Sequence, residues 1–152
     1  MNDSLRALWS RYRTLNPQVA ETPPVSFYFC DNQQDADLCA ALVVAGKKRA
    51  TAASLAELEL SRQPVPQAGD LAMVTDWSGK AVAVIQTRSV EIRRLGDVDA
   101  EFAAAEGEGD GSLNWWRQAH LAYFSRVLEG TGHKVNDDLL IACEHFDCVL
   151  LA

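Results

Sequence analysis

The chain has 152 residues, 48% of them apolar, and 21 acidic side chains against 14 lysines and arginines, for a formal net charge of −7. A length of this order makes one domain able to bury roughly 70% of its unfolded surface. The acidic balance argues against duplex DNA, whose binding rests on phosphate neutralisation, and no apolar run approaches the ~20 residues of a membrane span.

The N-terminus, "MNDSLRALWSRYR", lacks the apolar stretch and cleavage site of a secretory signal, so a cytoplasmic protein is expected. The whole chain, 1–152, reads as a single domain with a helical N-terminal extension over about residues 1–25. Leu5, Leu8, Trp9, Tyr12 and Leu15 fall on one stripe and predict a helix from about Ser4 to Leu15, ended by Asn16-Pro17. "VSFYF" reads as a short strand. Asp31 is a candidate cap for a second helix, with Gln34 closing a capping box; Leu38, Leu42 and Ala45 give its buried face, and Gly46 its C′ residue.

"KKRAT" follows, and its cations admit two readings. Lys47, Lys48 and Arg49 form either a solvated turn or a place where a lysine activates Thr51. "SLAELEL" reads as a short third helix. "LAMVTDW" and "AVAVIQTRSVEIRRL" form a hairpin through Ser78-Gly79-Lys80. In its second strand Gln86 and Arg88 share parity with Val82, Val84, Val90 and Ile92, which implies a bulge or a polar cavity.

"VDAEFAAAE" is a short helix and "GEGDGS" a turn. Ser112 caps the longest helix, from Leu113 to about Leu128. Trp116 and His120 lie on the apolar stripe of that helix and are assigned to packing, whereas Trp115 lies off it. "DLLIACEHFDCVLLA" is a final strand, apolar on both faces and therefore central. Few strands, hairpin-linked and without an obvious βαβ crossover, give an α+β fold with a curled antiparallel or mixed sheet. Cys30, Cys39, Cys143 and Cys148 contain no CxxC pair, so they read as reduced thiols; no structural zinc and no cofactor is expected, and a loosely held catalytic metal is left open.

Three blocks, "FYFCDNQQDADLCAALVVAGKKRATAAS", "GDLAMVTDWSGKAVAVIQTRSVEI" and "AEGEGDGSLNWWRQAHLAYF", resemble the ASCH-domain family over about Phe27 to Phe124. The resemblance implies a PUA-like fold, a small bent β-barrel with flanking helices. It also implies RNA- or nucleoside-related work. One member type is an amidohydrolase that removes the acetyl group of N4-acetylcytidine with a lysine, a threonine three residues later and a downstream glutamate. These carry over as Lys48, Thr51 and Glu108, with Glu106 as the alternative glutamate. Another member type is a ribonuclease acting on single-stranded RNA, so the partner is a nucleoside or a short single strand. A non-catalytic sensor of a nucleotide-like ligand is the third reading.

In the amidohydrolase reading Thr51 is the nucleophile and Lys48 its base, which requires a neutral amine. Lowering a lysine by roughly 3 pKa units costs about 4 kcal/mol. A glutamate salt-bridged to Lys48 would prevent this, so Glu108 is expected to act instead as proton donor to the departing amine or as a polar contact to the base edge. Arg49 and Arg88 are candidates for the oxyanion or a ribose, and Trp115 and Phe29 for stacking on the base.

Overall fold

A computed structural model of the chain describes residues 1–152. Helix α1 runs Asp3–Leu15, capped by the Asn2 side chain, and buries Leu5, Leu8, Trp9 and Tyr12 as the stripe requires. Strand β1 is only Ser26–Phe27. Helix α2 runs Gln33–Val44, and its cap is Asn32, which accepts from the Asp35 amide, not Asp31. Its buried face is Ala36, Cys39, Ala40 and Val43, whereas Leu38 stands 52% exposed. Small residues and a thiol carry this interface, so leucine positions mislead.

Gly46 is the C′ residue, at φ +74. The Gly46 amide donates to Val43 O and the Lys47 amide to Leu42 O, the paired bonds of a Schellman motif. Strand β2, Ala50–Ser54, follows directly where a turn was read. "ATAAS" has almost no strand propensity, and antiparallel pairing with the final strand makes it one. Helix α3, Leu55–Leu60, starts on a complete Ser54–Glu57 capping box.

Strands β3, Leu71–Thr75, and β4, Ala81–Arg94, form the expected hairpin, with Gly79 at φ +87 in its turn. The parity conflict in β4 resolves as bulging: its pairing slips between Val84 and Ile85 and again between Thr87 and Ser89. Helices α4, Ala100–Glu106, and α5, Leu113–Val127, start on Asp99 and Ser112 caps, and strand β5 spans Leu140–Leu151.

The sheet order is β1-β3-β4-β5-β2, with β1 parallel to β3 and all other pairs antiparallel. This is the expected α+β, PUA-like arrangement, and β5 is paired on both sides. The sheet stays open, because β1 and β2 sit at its two edges without pairing to each other, so no closed barrel forms. Three buried clusters hold the layers together. Helix α1 packs on Met73, Ala81 and Val84. Cys39 and Val43 of α2 pack on Val74, Ile85 and Phe146. Trp116, Phe124 and Leu128, at and beyond α5, pack with α4, Ala50 and Ile141. Helix α1 therefore stabilises the β3–β4 side and supplies no residue to the cavity described next.

Candidate active site

The Schellman turn releases the chain so that Lys48 points inward while its neighbours stay outside. The Lys48 side chain is buried among the end of α4, the start of β2 and Phe29, whose ring centroid is 4.9 Å from Nζ. Nζ donates to the Ala50 carbonyl at 2.9 Å, to Glu108 Oε2 at 2.9 Å and to Glu106 Oε1 at 3.4 Å. Three donors meet three acceptors, so the ammonium is fully satisfied.

Glu106 is the last residue of α4 and equally buried. Its second oxygen accepts from the Trp116 indole and lies 3.0 Å from His120 Nε2. Glu108 keeps 14% of its side chain exposed. Gly107 between them adopts φ +68, and a Cβ there would stand 2.3 Å from the Lys47 carbonyl oxygen. Only glycine lets the α4 end approach the turn after α2 this closely.

Charge follows from this geometry. Burial alone would lower the Lys48 pKa, but Glu106 and Glu108 outweigh it and hold the ammonium above the ordinary lysine range. Burial likewise opposes the ionised Glu106, yet Lys48 and His120 keep its carboxyl below the usual carboxylate range. For His120 burial is outweighed by Glu106, so its pKa is raised. The neutral Lys48 required of a general base is thus disfavoured, because two carboxylates, from 58 and 60 residues away, close on it.

These groups form one wall of a cavity of about 310 Å³. Lys48, Thr51, Glu106, Glu108, Phe29 and Trp115 all line it, six of the eight candidates named from the sequence. Arg49 and Arg88 do not. The Arg49 guanidinium turns back to the Gly46 carbonyl at 3.0 Å. The bulge in β4 sends Arg88 outward, 56% exposed, to pair with Asp147 at 3.2 Å. Neither can reach an oxyanion beside Lys48.

Trp115 packs across the 107–111 turn, where a Cβ on Gly109 would lie 2.1 Å from its ring. It therefore braces the segment carrying Glu108 as well as facing the cavity. The cavity residues Asp31, Arg126, Cys30 and Cys39 carry no site role in the sequence analysis. Asp31 and Arg126 form an ion pair at 2.9 Å. His120, assigned to packing, does stack on Trp116 at 4.0 Å between centroids, and it also bonds Glu106 and faces the cavity.

The ASCH domain family model matches residues 25–150. The chain belongs to the ASCH domain family. An ASCH domain is a PUA-like domain of the RNA-binding type. The crystal structure of an ASCH domain from Lactobacillus crispatus JV V101 superposes with a TM-score of 0.88 at 33% identity, covering 100% of this chain and 97% of that one. A protein from Enterococcus faecalis V583 superposes with a TM-score of 0.88 at 28% identity, covering 99% and 91%. No curated protein matches the chain. The likeness to the first ASCH structure spans α1 as well as the matched domain. No helix of this ASCH domain is long and apolar enough to cross a membrane.

Proposed function

We propose that the cavity binds an N4-acylated cytidine-type nucleoside and hydrolyses its amide. The observation that carries this reading is the convergence of Lys48, Thr51 and Glu108 on one partly aromatic cavity of about 310 Å³, near the lower end of the usual range for small-molecule sites. The roles differ from a lysine-base scheme. Glu108 is the proton carrier, since it is the carboxylate of the pair with solvent access. Lys48 stays an ammonium; it holds Glu108 in place and faces the acyl oxygen. Its longest bond, 3.4 Å to Glu106, is the one that yields to an oxyanion.

The atoms balance as follows. Thr51 Oγ bonds to the acyl carbon while its proton passes to Glu108. The C–N bond then breaks, and that proton leaves with the exocyclic amine. Water attacks the acyl-threonine, giving up a proton through Glu108, and frees the carboxylic acid and the Thr51 hydroxyl.

The charge of the lining favours a free nucleoside over a phosphorylated one. Asp31, Asp35, Glu106 and Glu108 face it against Lys48, Arg126 and, when protonated, His120. A polyanion would meet more carboxylates than cations there, which weighs against a single-stranded RNA threading the cavity.

The test is acetate release from N4-acetylcytidine by the full chain. Glu108→Gln and Thr51→Ala should each lower kcat by about 100-fold or more, with unchanged circular dichroism. Wild-type protein that releases no acetate, or both variants turning over at the wild-type rate, would refute the assignment. Thermal stabilisation by the nucleoside without turnover would favour a sensor instead.

A further inference from the structure

We propose that Cys30, Cys39 and Glu108 form a binding site for a thiophilic divalent cation of the zinc type in the wall of the cavity. The two cysteines are nine residues apart, too irregular a spacing for a sequence motif. The fold joins them: Cys30 ends the segment after β1, and Cys39 lies one turn and a half into α2 on its buried face. Their sulfurs stand 3.8 Å apart. Two sulfurs each about 2.3 Å from a tetrahedral zinc are separated by about 3.8 Å.

Glu108 supplies the third donor. Its Oε1 lies 3.2 Å from Cys39 Sγ, while Oε2 is bonded to Lys48. For zinc with a bound thiolate and carboxylate that separation is about 3.5 Å. All three donor atoms lie within 4.8 Å of one another, so side-chain adjustment alone closes them on an ion. The cavity side leaves a fourth position for water or a ligand. Cys30 also occupies φ +65, a conformation ordinarily given to glycine or asparagine, and a thiol stands there instead.

Electrostatics permit the exchange. Two thiol protons leave as one dication enters, so the net charge of the buried cluster is unchanged. The Lys48 ammonium offsets the excess negative charge of two thiolates and a carboxylate around the ion. A second donor set, Glu106, Glu108 and His120, is equally compact. Glu106 is already engaged by Lys48, Trp116 and His120, which leaves the thiols as the freer ligands.

The buried member of the pair is ill suited to redox sensing. Cys39 is 1% exposed. The hydrogen bond with Cys30, burial and the Glu108 carboxylate all push its pKa up. Sensor thiols are exposed and low in pKa. A metal displaces these protons directly, so affinity should rise with pH.

The experiment is a Co2+ titration of the full chain in a non-thiol reductant, followed by Zn2+ displacement. One equivalent should produce a thiolate-to-cobalt charge-transfer band in the near ultraviolet, and Zn2+ should abolish it with release of Co2+. Cys30→Ser, at a half-buried position, should remove most of the band. It should also weaken Zn2+ by more than the roughly 10- to 100-fold that loss of an outer-sphere partner costs. No band at stoichiometric Co2+, or an equal band in Cys30→Ser, overturns the site. With Oε1 on the ion and Oε2 on Lys48, Glu108 could not carry a proton, so bound metal should suppress the proposed hydrolysis; the spectroscopic readout does not depend on that activity.

Discussion

Glu106 and Glu108 flank a single glycine and meet the same ammonium from different surroundings. Glu106 is sealed in with Lys48, His120 and Trp116, whereas Glu108 opens to the cavity. Removing one partner of a buried ion cluster leaves the others desolvated and unpaired, at about 3–5 kcal/mol. Glu106→Gln should therefore lose stability on that scale in urea unfolding at pH 6. The pH dependence gives the independent signature. His120 has a folded pKa above its unfolded value of about 6.5, so its contribution is complete below that pH and is lost as pH rises through the folded pKa. Lys48 stays charged over this range. Wild-type unfolding midpoints should decline on the alkaline side of neutrality, and in Glu106→Gln the decline should flatten. An identical slope in both proteins would mean that Glu106 does not hold the histidine's proton.

Helix ends, more than helix bodies, build the site. The Schellman turn after α2 aims Lys48, and the αL end of α4 delivers Glu106 and Glu108. Gly46 and Gly107 both have positive φ, but their surroundings differ. A Cβ on Gly46 meets only the flexible end of Arg49, at 3.9 Å, whereas one on Gly107 runs into the Lys47 backbone. Gly46→Ala should thus cost the conformational strain alone, about 1 kcal/mol. Gly107→Ala should cost clearly more, because backbone must separate and both carboxylates retreat from Lys48. Comparing their thermal unfolding measures that close approach, and equal losses would contradict it. These ends also mark what was legible. Gly46 and Ser112 announce their elements through cap chemistry that is local in sequence. Strand β2 does not, since its partner β5 lies about ninety residues on. The buried face of α2 was misread because alanines and Cys39 carry it. Lys48 and Thr51 were singled out through the family resemblance and both line the cavity, but the charge state of Lys48 was not legible. It depends on carboxylates brought in by the α4 end.

At the scale of the whole molecule, the net charge of −7 and the cavity lining act in the same direction. Four carboxylates face the cavity against Lys48, Arg126 and, when protonated, His120. Coulomb repulsion of this kind is long-ranged and screened by salt, over about 10 Å at 0.1 M. Its sign separates the two chemistries open to an ASCH fold. A neutral nucleoside should bind with an affinity nearly independent of ionic strength. Its 5′-phosphate should bind more weakly, and added salt should narrow the gap by screening the repulsion. A single-stranded RNA held through its phosphates would behave in the opposite way, because salt opposes counterion release. Isothermal titration of nucleoside, nucleoside 5′-phosphate and a short oligonucleotide at low and moderate salt reads this sign directly. Oligonucleotide affinity that falls steeply with salt would place binding on a surface governed by cations. The exposed Arg49, next to the Lys48 turn yet outside the cavity, would then become the first residue to substitute.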